Sequence, residues 1–144
     1  MAAIIYSEAG NQGYNGMLAV GSVIMNRVYS RGYGFANVNT ITAVVYQKNQ
    51  FEPASRIKPY YKDGVLMQDK TVLQFYLAYP DKISANAKSA AQAVMNGTRY
   101  HWAGGAMNQL FFMTPAAFEK QAWLKGRNIK DKFTLGGHTF FNVL

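Results

Sequence analysis

The sequence predicts a mainly helical α+β protein with a small sheet in its C-terminal third. Apolar residues recur at helical spacing over residues 14–28 and again over 84–96. Strand-like runs rich in aromatic residues come late, at 107–113 and 133–143. No internal repeat, low-complexity tract or linker composition interrupts the chain, so residues 1–144 are expected to form one domain.

Residues 1–9 read as a short helix stopped by Gly10, and Gly10-Asn11-Gln12-Gly13 is turn chemistry. Met17, Leu18, Gly21, Ile24, Met25 and Val28 then mark a buried central helix, with Val20 and Val23 adding apolar residues on another side. A loop rich in Gly and Asn over 32–39 leads to a short helix capped by Thr40 and carrying Ile41, Val44, Val45 and Tyr46. Residues 47–65 contain two prolines and little periodicity, which predicts a long irregular segment whose Phe51, Tyr60 and Tyr61 face a ligand. Helical patterns return at 68–79, closed by Pro80, and at 84–96, where Ser84 caps and Gly97 stops the helix. The last third predicts a strand around Leu110-Phe111-Phe112, a short helix over 115–125, and a second strand over 133–143 interrupted by Gly136-Gly137. The two strands are expected to pair, with Leu110 and one of the two phenylalanines packed inward because strand neighbours alternate faces.

Fifteen Lys and Arg against seven Asp and Glu give a net charge of +8, which favours a polyanionic partner. Nucleic acid, anionic lipid and bacterial cell wall all qualify. The basic residues are scattered, and the aromatics sit at core spacing rather than between Lys and Arg, which argues against nucleic acid. The absence of cysteine excludes disulfides and thiolate metal sites, and two His without paired ligands argue against zinc. No cofactor is expected, and the chemistry must come from carboxylates and polar groups. No apolar stretch approaches the roughly 20 residues that span a bilayer, so membrane insertion is not expected, and a monomer is.

Of the seven carboxylates, Asp63, Asp69, Asp81, Glu119 and Asp131 lie beside Lys or in polar turns and read as solvated surface. Glu8 follows Ile4 by four residues and Ile5 by three, which puts it on the apolar face of its helix. It also falls in the last turn, where the helix dipole opposes negative charge. Both effects raise a carboxyl pKa and suit a general acid, although a helix-end residue pointing at water fits the same pattern. Glu52 precedes Pro53 in the irregular segment and reads as a surface or salt-bridged residue, with a second catalytic carboxylate as the alternative.

Tyr6-Ser7-Glu8-Ala9-Gly10, then Tyr14-Asn15-Gly16-Met17-Leu18-Ala19-Val20 and Val23-Ile24-Met25-Asn26-Arg27-Val28, begin a pattern that continues through Asn39-Thr40-Ile41, Val44-Val45-Tyr46 and Gln50-Phe51. Ala90 to Gly97, Ala106 to Pro115 and Gly137-His138-Thr139-Phe140-Phe141 complete it. Over nearly its whole length the chain resembles the spore-cortex-lytic cell wall hydrolases of the SleB/CwlJ type. The resemblance implies a lysozyme-like, lytic-transglycosylase-like domain acting on peptidoglycan, with Glu8 as the catalytic glutamate. It also implies a substrate groove in which Gln50 hydrogen-bonds an acetamido or hydroxyl group and Phe51 stacks on a sugar or walls the cleft. Phe112 and Thr114 match the aromatic strand of that groove. His138 is either a ligand-binding residue or a structural hydrogen-bonder. Asn26, buried among apolar neighbours, is expected to brace the loop after Glu8 rather than touch substrate.

Family members commonly carry a second acid four positions after the glutamate, where this chain has Gln12. A glycoside hydrolase of the usual kind needs two carboxylates, whereas a lytic transglycosylase needs one. The expected function is therefore lytic transglycosylation of the MurNAc-GlcNAc β-1,4 bond to a 1,6-anhydro end. A hydrolytic muramidase or glucosaminidase of the same fold, or a catalytically silent wall-binding module, is the alternative. The absence of a signal peptide at the start of the sequence suits either an endolysin that leaves the cytoplasm through a membrane lesion or a chain lacking its leader.

Overall fold

The apolar stripe of residues 17–28 lies at the centre of a helical layer. In the computed structural model, which describes residues 1–32, 34–47 and 50–144, the helices are α1 (Ala2–Ala9), α2 (Gly13–Tyr29), α3 (Ile41–Val45), α4 (Val72–Ala78), α5 (Ala85–Met95) and α6 (Pro115–Lys120). Every residue of α2 from Gly16 to Met25 is buried, because α1, α3 and α5 all pack on it. Its one buried hydroxyl, on Ser22, donates to the Leu18 carbonyl at 2.8 Å and accepts from the Tyr100 amide at 3.0 Å, so no polar group is stranded there.

Gly21 sets the spacing of this layer. A Cβ at that position would lie 2.9 Å from Ile5 Cδ1 and 3.0 Å from Val94 Cγ2, so α1 and α5 reach α2 because a side chain is missing. Gly21→Val is expected to destabilise the protein by about 1–3 kcal/mol through overpacking, with Gly21→Ala milder. Thermal unfolding followed by circular dichroism checks this, and an unchanged midpoint for the valine variant refutes it.

Local capping chemistry sets several helix starts. Thr40, Ser84 and Thr114 each accept an amide N–H from the first turn at 3.1 Å. The helix expected from residue 68 begins at Val72, since Thr71 and Gln74 form a reciprocal capping box that defines its first turn. Gly10 stops α1 for a different reason from the one expected. It is right-handed, at φ −59°, and a Cβ there would lie 2.5 Å from the Tyr6 carbonyl oxygen. The left-handed turn into α2 is made by Gly13, at φ 71°.

The strands are β1 (Tyr60–Lys62), β2 (Val65–Met67), β3 (His101–Trp102), β4 (Gly105–Ala106), β5 (Phe111–Met113), β6 (Ile129–Leu135) and β7 (His138–Val143). The segment expected to be irregular contains the β1–β2 hairpin, whose turn residues Asp63 and Gly64 are both left-handed, at φ 52° and 79°. That is the geometry a two-residue Asp-Gly hairpin turn requires. The single strand expected over 133–143 is in fact the end of β6 and all of β7, because Gly136-Gly137 reverses the chain and Leu135 pairs with His138. The resulting antiparallel sheet has the order β5-β7-β6.

Strand β7 is buried along its full length. Phe140 joins the core shared with α1, α2 and α5, while Phe141 and Val143 form a second cluster with Leu124, Phe111 and Phe118. A short 3-10 turn, Ala122–Leu124, follows α6 where a longer helix was expected. Among the described residues no helix is long and apolar enough to cross a membrane.

Candidate active site

Glu8 sits in the last turn of α1, beside the buried Ile4, Ile5 and Ala9, and its carboxyl opens into a recess of about 530 Å³. Tyr6, Gln12, Tyr76, Thr114 and His138 line the same recess. Glu8 is half-buried, and among the described residues no hydrogen bond to its carboxyl is found. Burial is the main reason its pKa is raised to about 7; the nearby negative charge of Glu52 adds to the rise, and Arg27 and Arg56 oppose it.

Arg27 was not singled out from the sequence, although it lies four residues after Val23 and three after Ile24 on an otherwise apolar helix. It is 3% exposed, and its guanidinium carbon lies 4.9 Å from the Phe35 ring, 5.3 Å from Phe51 and 5.7 Å from Phe111. Its Nε donates to the Leu110 carbonyl at 2.7 Å. Burial brings its pKa down to about 10, against the opposing pull of Glu8, so it stays charged at neutral pH.

A second recess, of about 700 Å³, is floored by Arg27 and bounded by Gln50, Glu52, Phe111, Phe112 and Arg127. Ring contacts join it to the Glu8 recess. Phe112 lies 6.0 Å from Phe51 on one side and 5.0 Å, edge-on, from the His138 ring on the other. Phe111 and Phe112 both border this recess, Phe111 packing on Trp123 and Phe141 and Phe112 on Phe51, His138 and Phe140.

The other sequence candidates fall around these two recesses in distinct ways. Gln50 is exposed at the larger one. Phe51 is 4% exposed and held under Arg27 and Phe112, so it shapes the wall and presents no face to a sugar. Thr114 borders the Glu8 recess while its hydroxyl caps α6. His138 is 5% exposed, its Nδ1 has no hydrogen-bond partner among the described residues, and burial lowers its pKa, so it is neutral at pH 7. Glu52 is exposed and paired with Arg56 at 3.3 Å.

Gln12 borders the Glu8 recess and also clamps two turns together. Its Oε1 accepts the Gly137 amide at 2.9 Å and so ties the α1–α2 turn to the β6–β7 turn. Asn26 does not brace the loop after Glu8. Its Nδ2 donates to the carbonyls of Met107 at 3.2 Å and Gln109 at 3.0 Å, and its Oδ1 accepts from Arg99 Nε at 2.8 Å, so it anchors the approach to β5 instead. Tyr60 turns away from both recesses, packing on Phe75 at 5.4 Å and donating to Asp69 Oδ1 at 2.9 Å.

The model of the cell wall hydrolase family matches residues 11–141. The chain belongs to the cell wall hydrolase family. Membership makes it an enzyme that acts on the cell wall. The matched segment begins three residues after Glu8 and contains most of the residues that line the two recesses, while Tyr6, Ser7, Gly10 and Val143 lie outside it. This cell wall hydrolase is similar in fold to the catalytic domain of the germination-specific lytic transglycosylase SleB from Bacillus anthracis, with a TM-score of 0.60 and 23% identity, covering 99% of this chain and 90% of that one. It is equally similar to the catalytic domain of Bacillus cereus SleB, with a TM-score of 0.60 and 23% identity over 99% of this chain and 86% of that one. No curated protein sequence matches the hydrolase.

Proposed function

We propose that this enzyme cuts peptidoglycan glycan strands between MurNAc and GlcNAc as a lytic transglycosylase, with Glu8 as acid and then base. The observation that carries this reading is a carboxyl in a recess whose surroundings hold its pKa near 7, so that both protonation states are accessible at neutral pH. Protonated Glu8 delivers its proton to the glycosidic oxygen as the C1–O bond breaks. The resulting carboxylate takes the proton of the muramic acid C6 hydroxyl, whose oxygen bonds to C1 and closes the 1,6-anhydro ring. No water is consumed. Gln50 would then bind polar substituents of the sugar, and Phe112, Thr114 and His138 would wall the cleft around the scissile bond.

One observation favours a second reading. Glu52 is near enough to raise the Glu8 pKa, and a hydrolytic muramidase or glucosaminidase would use it as the second carboxylate. Its exposure and its pairing with Arg56 weigh against that role. Mass spectrometry of fragments released from purified peptidoglycan separates the two. Anhydro ends support the single-acid mechanism. Reducing ends that disappear in Glu52→Gln establish hydrolysis, and an absence of fragments with wall binding intact leaves a binding module.

The pH profile gives an independent check. The general acid must be protonated in the free enzyme, so kcat/KM is expected to fall as pH rises through about 7. Because the Glu52 charge raises that pKa, Glu52→Gln is expected to move the alkaline limb to lower pH. A limb that stays in place separates Glu52 electrostatically from Glu8.

A further inference from the structure

The larger recess has a chemistry that the proton cycle of Glu8 leaves unused. Arg27 at its floor is buried, yet Nε is the one nitrogen for which a hydrogen bond is found among the described residues, and Nη1 is enclosed without an acceptor. Within 4 Å it has no carboxylate partner among the described residues, since the ion pair found there joins Arg56 to Glu52. A buried cation in this state is costly unless rings or an incoming anion compensate it, and Phe35, Phe51 and Phe111 compensate it only in part. At the rim stands a second cation, Arg127, steadied by a 3.3 Å bond from its Nε to the Trp123 carbonyl and otherwise exposed. The one acid bordering the recess, Glu52, already has Arg56 as its counter-charge. Two arginines, the Gln50 and Gln121 amides, and aromatic walls therefore surround about 700 Å³ next to the Glu8 recess.

We propose that this recess is a carboxylate-binding subsite, in which Arg27 and Arg127 hold an anionic substituent of the glycan strand while the sugar backbone passes Glu8. The inference rests on the proposed action on peptidoglycan. In that polymer the candidate anions are the carboxylates of the peptide stem and, where the stem is missing, the lactyl carboxylate of muramic acid. Guanidinium groups suit either as charge-assisted donors, Arg127 through its exposed head and Arg27 through the part of its guanidinium that borders the recess.

The test is calorimetric titration of the Glu8→Gln protein, which leaves its ligands uncut, with three soluble ligands. These are a disaccharide carrying its peptide stem, the same disaccharide stripped by an amidase so that only the lactyl carboxylate remains, and a stem-bearing disaccharide whose carboxyls have been converted to neutral amides. The stem-bearing ligand is expected to bind about 10-fold more tightly than the neutral one. Adding Arg127→Gln should shrink that difference, since one of the two cations is lost while Arg27 remains. Arg127 is exposed, so its substitution tests charge without disturbing the core. Arg27→Lys, with its fold checked by circular dichroism, should weaken the charged ligands, because lysine keeps the charge but not the planar guanidinium that the three rings position. If the stripped ligand also binds more tightly than the neutral one, the subsite accepts the lactyl carboxylate as well as the stem; if it binds like the neutral one, only the stem carboxylates are held. Equal binding of charged and neutral ligands, or no effect of Arg127→Gln, overturns the subsite. Failure of the glycosidase reading shows separately, as an absence of glycan cleavage by the unmodified enzyme.

Discussion

Glu8→Gln is expected to lower glycan cleavage by about 10²–10⁴-fold and, at the same time, to make the protein more stable above pH 7. The first effect follows from removing the only proton that Glu8 can deliver to the leaving oxygen. The second follows from linkage. The folded protein holds the Glu8 proton up to about pH 7, whereas the unfolded chain releases it near 4.5, so the folded state binds more protons between these values. Stability therefore falls as pH rises across that window and stays lower above it, by at most about 3 kcal/mol. Glutamine removes the penalty while keeping the shape. Thermal unfolding at pH 8 should show the variant melting above the parent, and at pH 4 the two should coincide because the carboxyl is neutral in both states. A variant that melts no higher than the parent at pH 8 would show that burial of Glu8 carries no such cost.

The second large effect is expected at Phe140. Its ring is wholly buried, stacked at 5.1 Å on Phe133 and packed at 5.8 Å against Phe112 and 6.0 Å against His138. Phe140→Ala should cost about 3–5 kcal/mol, combining lost burial with the cavity left in a sheet that has little freedom to collapse. The molecules that remain folded should also lose activity, because the wall between the two recesses rests on this ring. Urea unfolding at neutral pH measures the first effect, and turnover under conditions where the variant is fully folded measures the second. A loss below 1 kcal/mol would mean the site repacks, and normal turnover would detach Phe140 from the cleft.

Local chemistry made several helix ends legible, because Thr40, Ser84 and Gly97 act within a few residues of their own positions. The same logic applies to Thr71 and Gln74, where the apolar pattern ran on past the true start and hid the capping box. The Asp63-Gly64 hairpin carried the strongest local signal of the middle segment, but its strands are short and largely exposed and show no alternating apolar pattern. Strand β7 was blurred for the opposite reason: covered on both faces, it lacks the alternation by which a strand is recognised, so it merged with β6.

In the site, helix phase put Glu8 on the apolar face of its helix without separating a general acid from a helix end that points at water, and the family resemblance singled it out. Arg27 and Asn26 were not placed correctly because their partners lie far along the chain. The rings around Arg27 come from residues 35, 51 and 111, and the carbonyls that Asn26 binds lie more than eighty residues away. A single sequence shows that such groups must be satisfied without showing by what.

The outer strand β6 presents an open hydrogen-bonding edge, since the sheet ends there. Two features disrupt it. The register shifts between Lys130 and Phe133, with Asp131 at φ 55°, and the irregularity carries the exposed Lys130 and Lys132, the latter with its ammonium 5.1 Å from the Phe118 ring centre. A second molecule adding its own strand would meet a kinked ladder and repelling ammonium groups. These features disfavour edge-to-edge polymerisation, and substituting both lysines with threonine is expected to raise fibrous aggregation of concentrated protein.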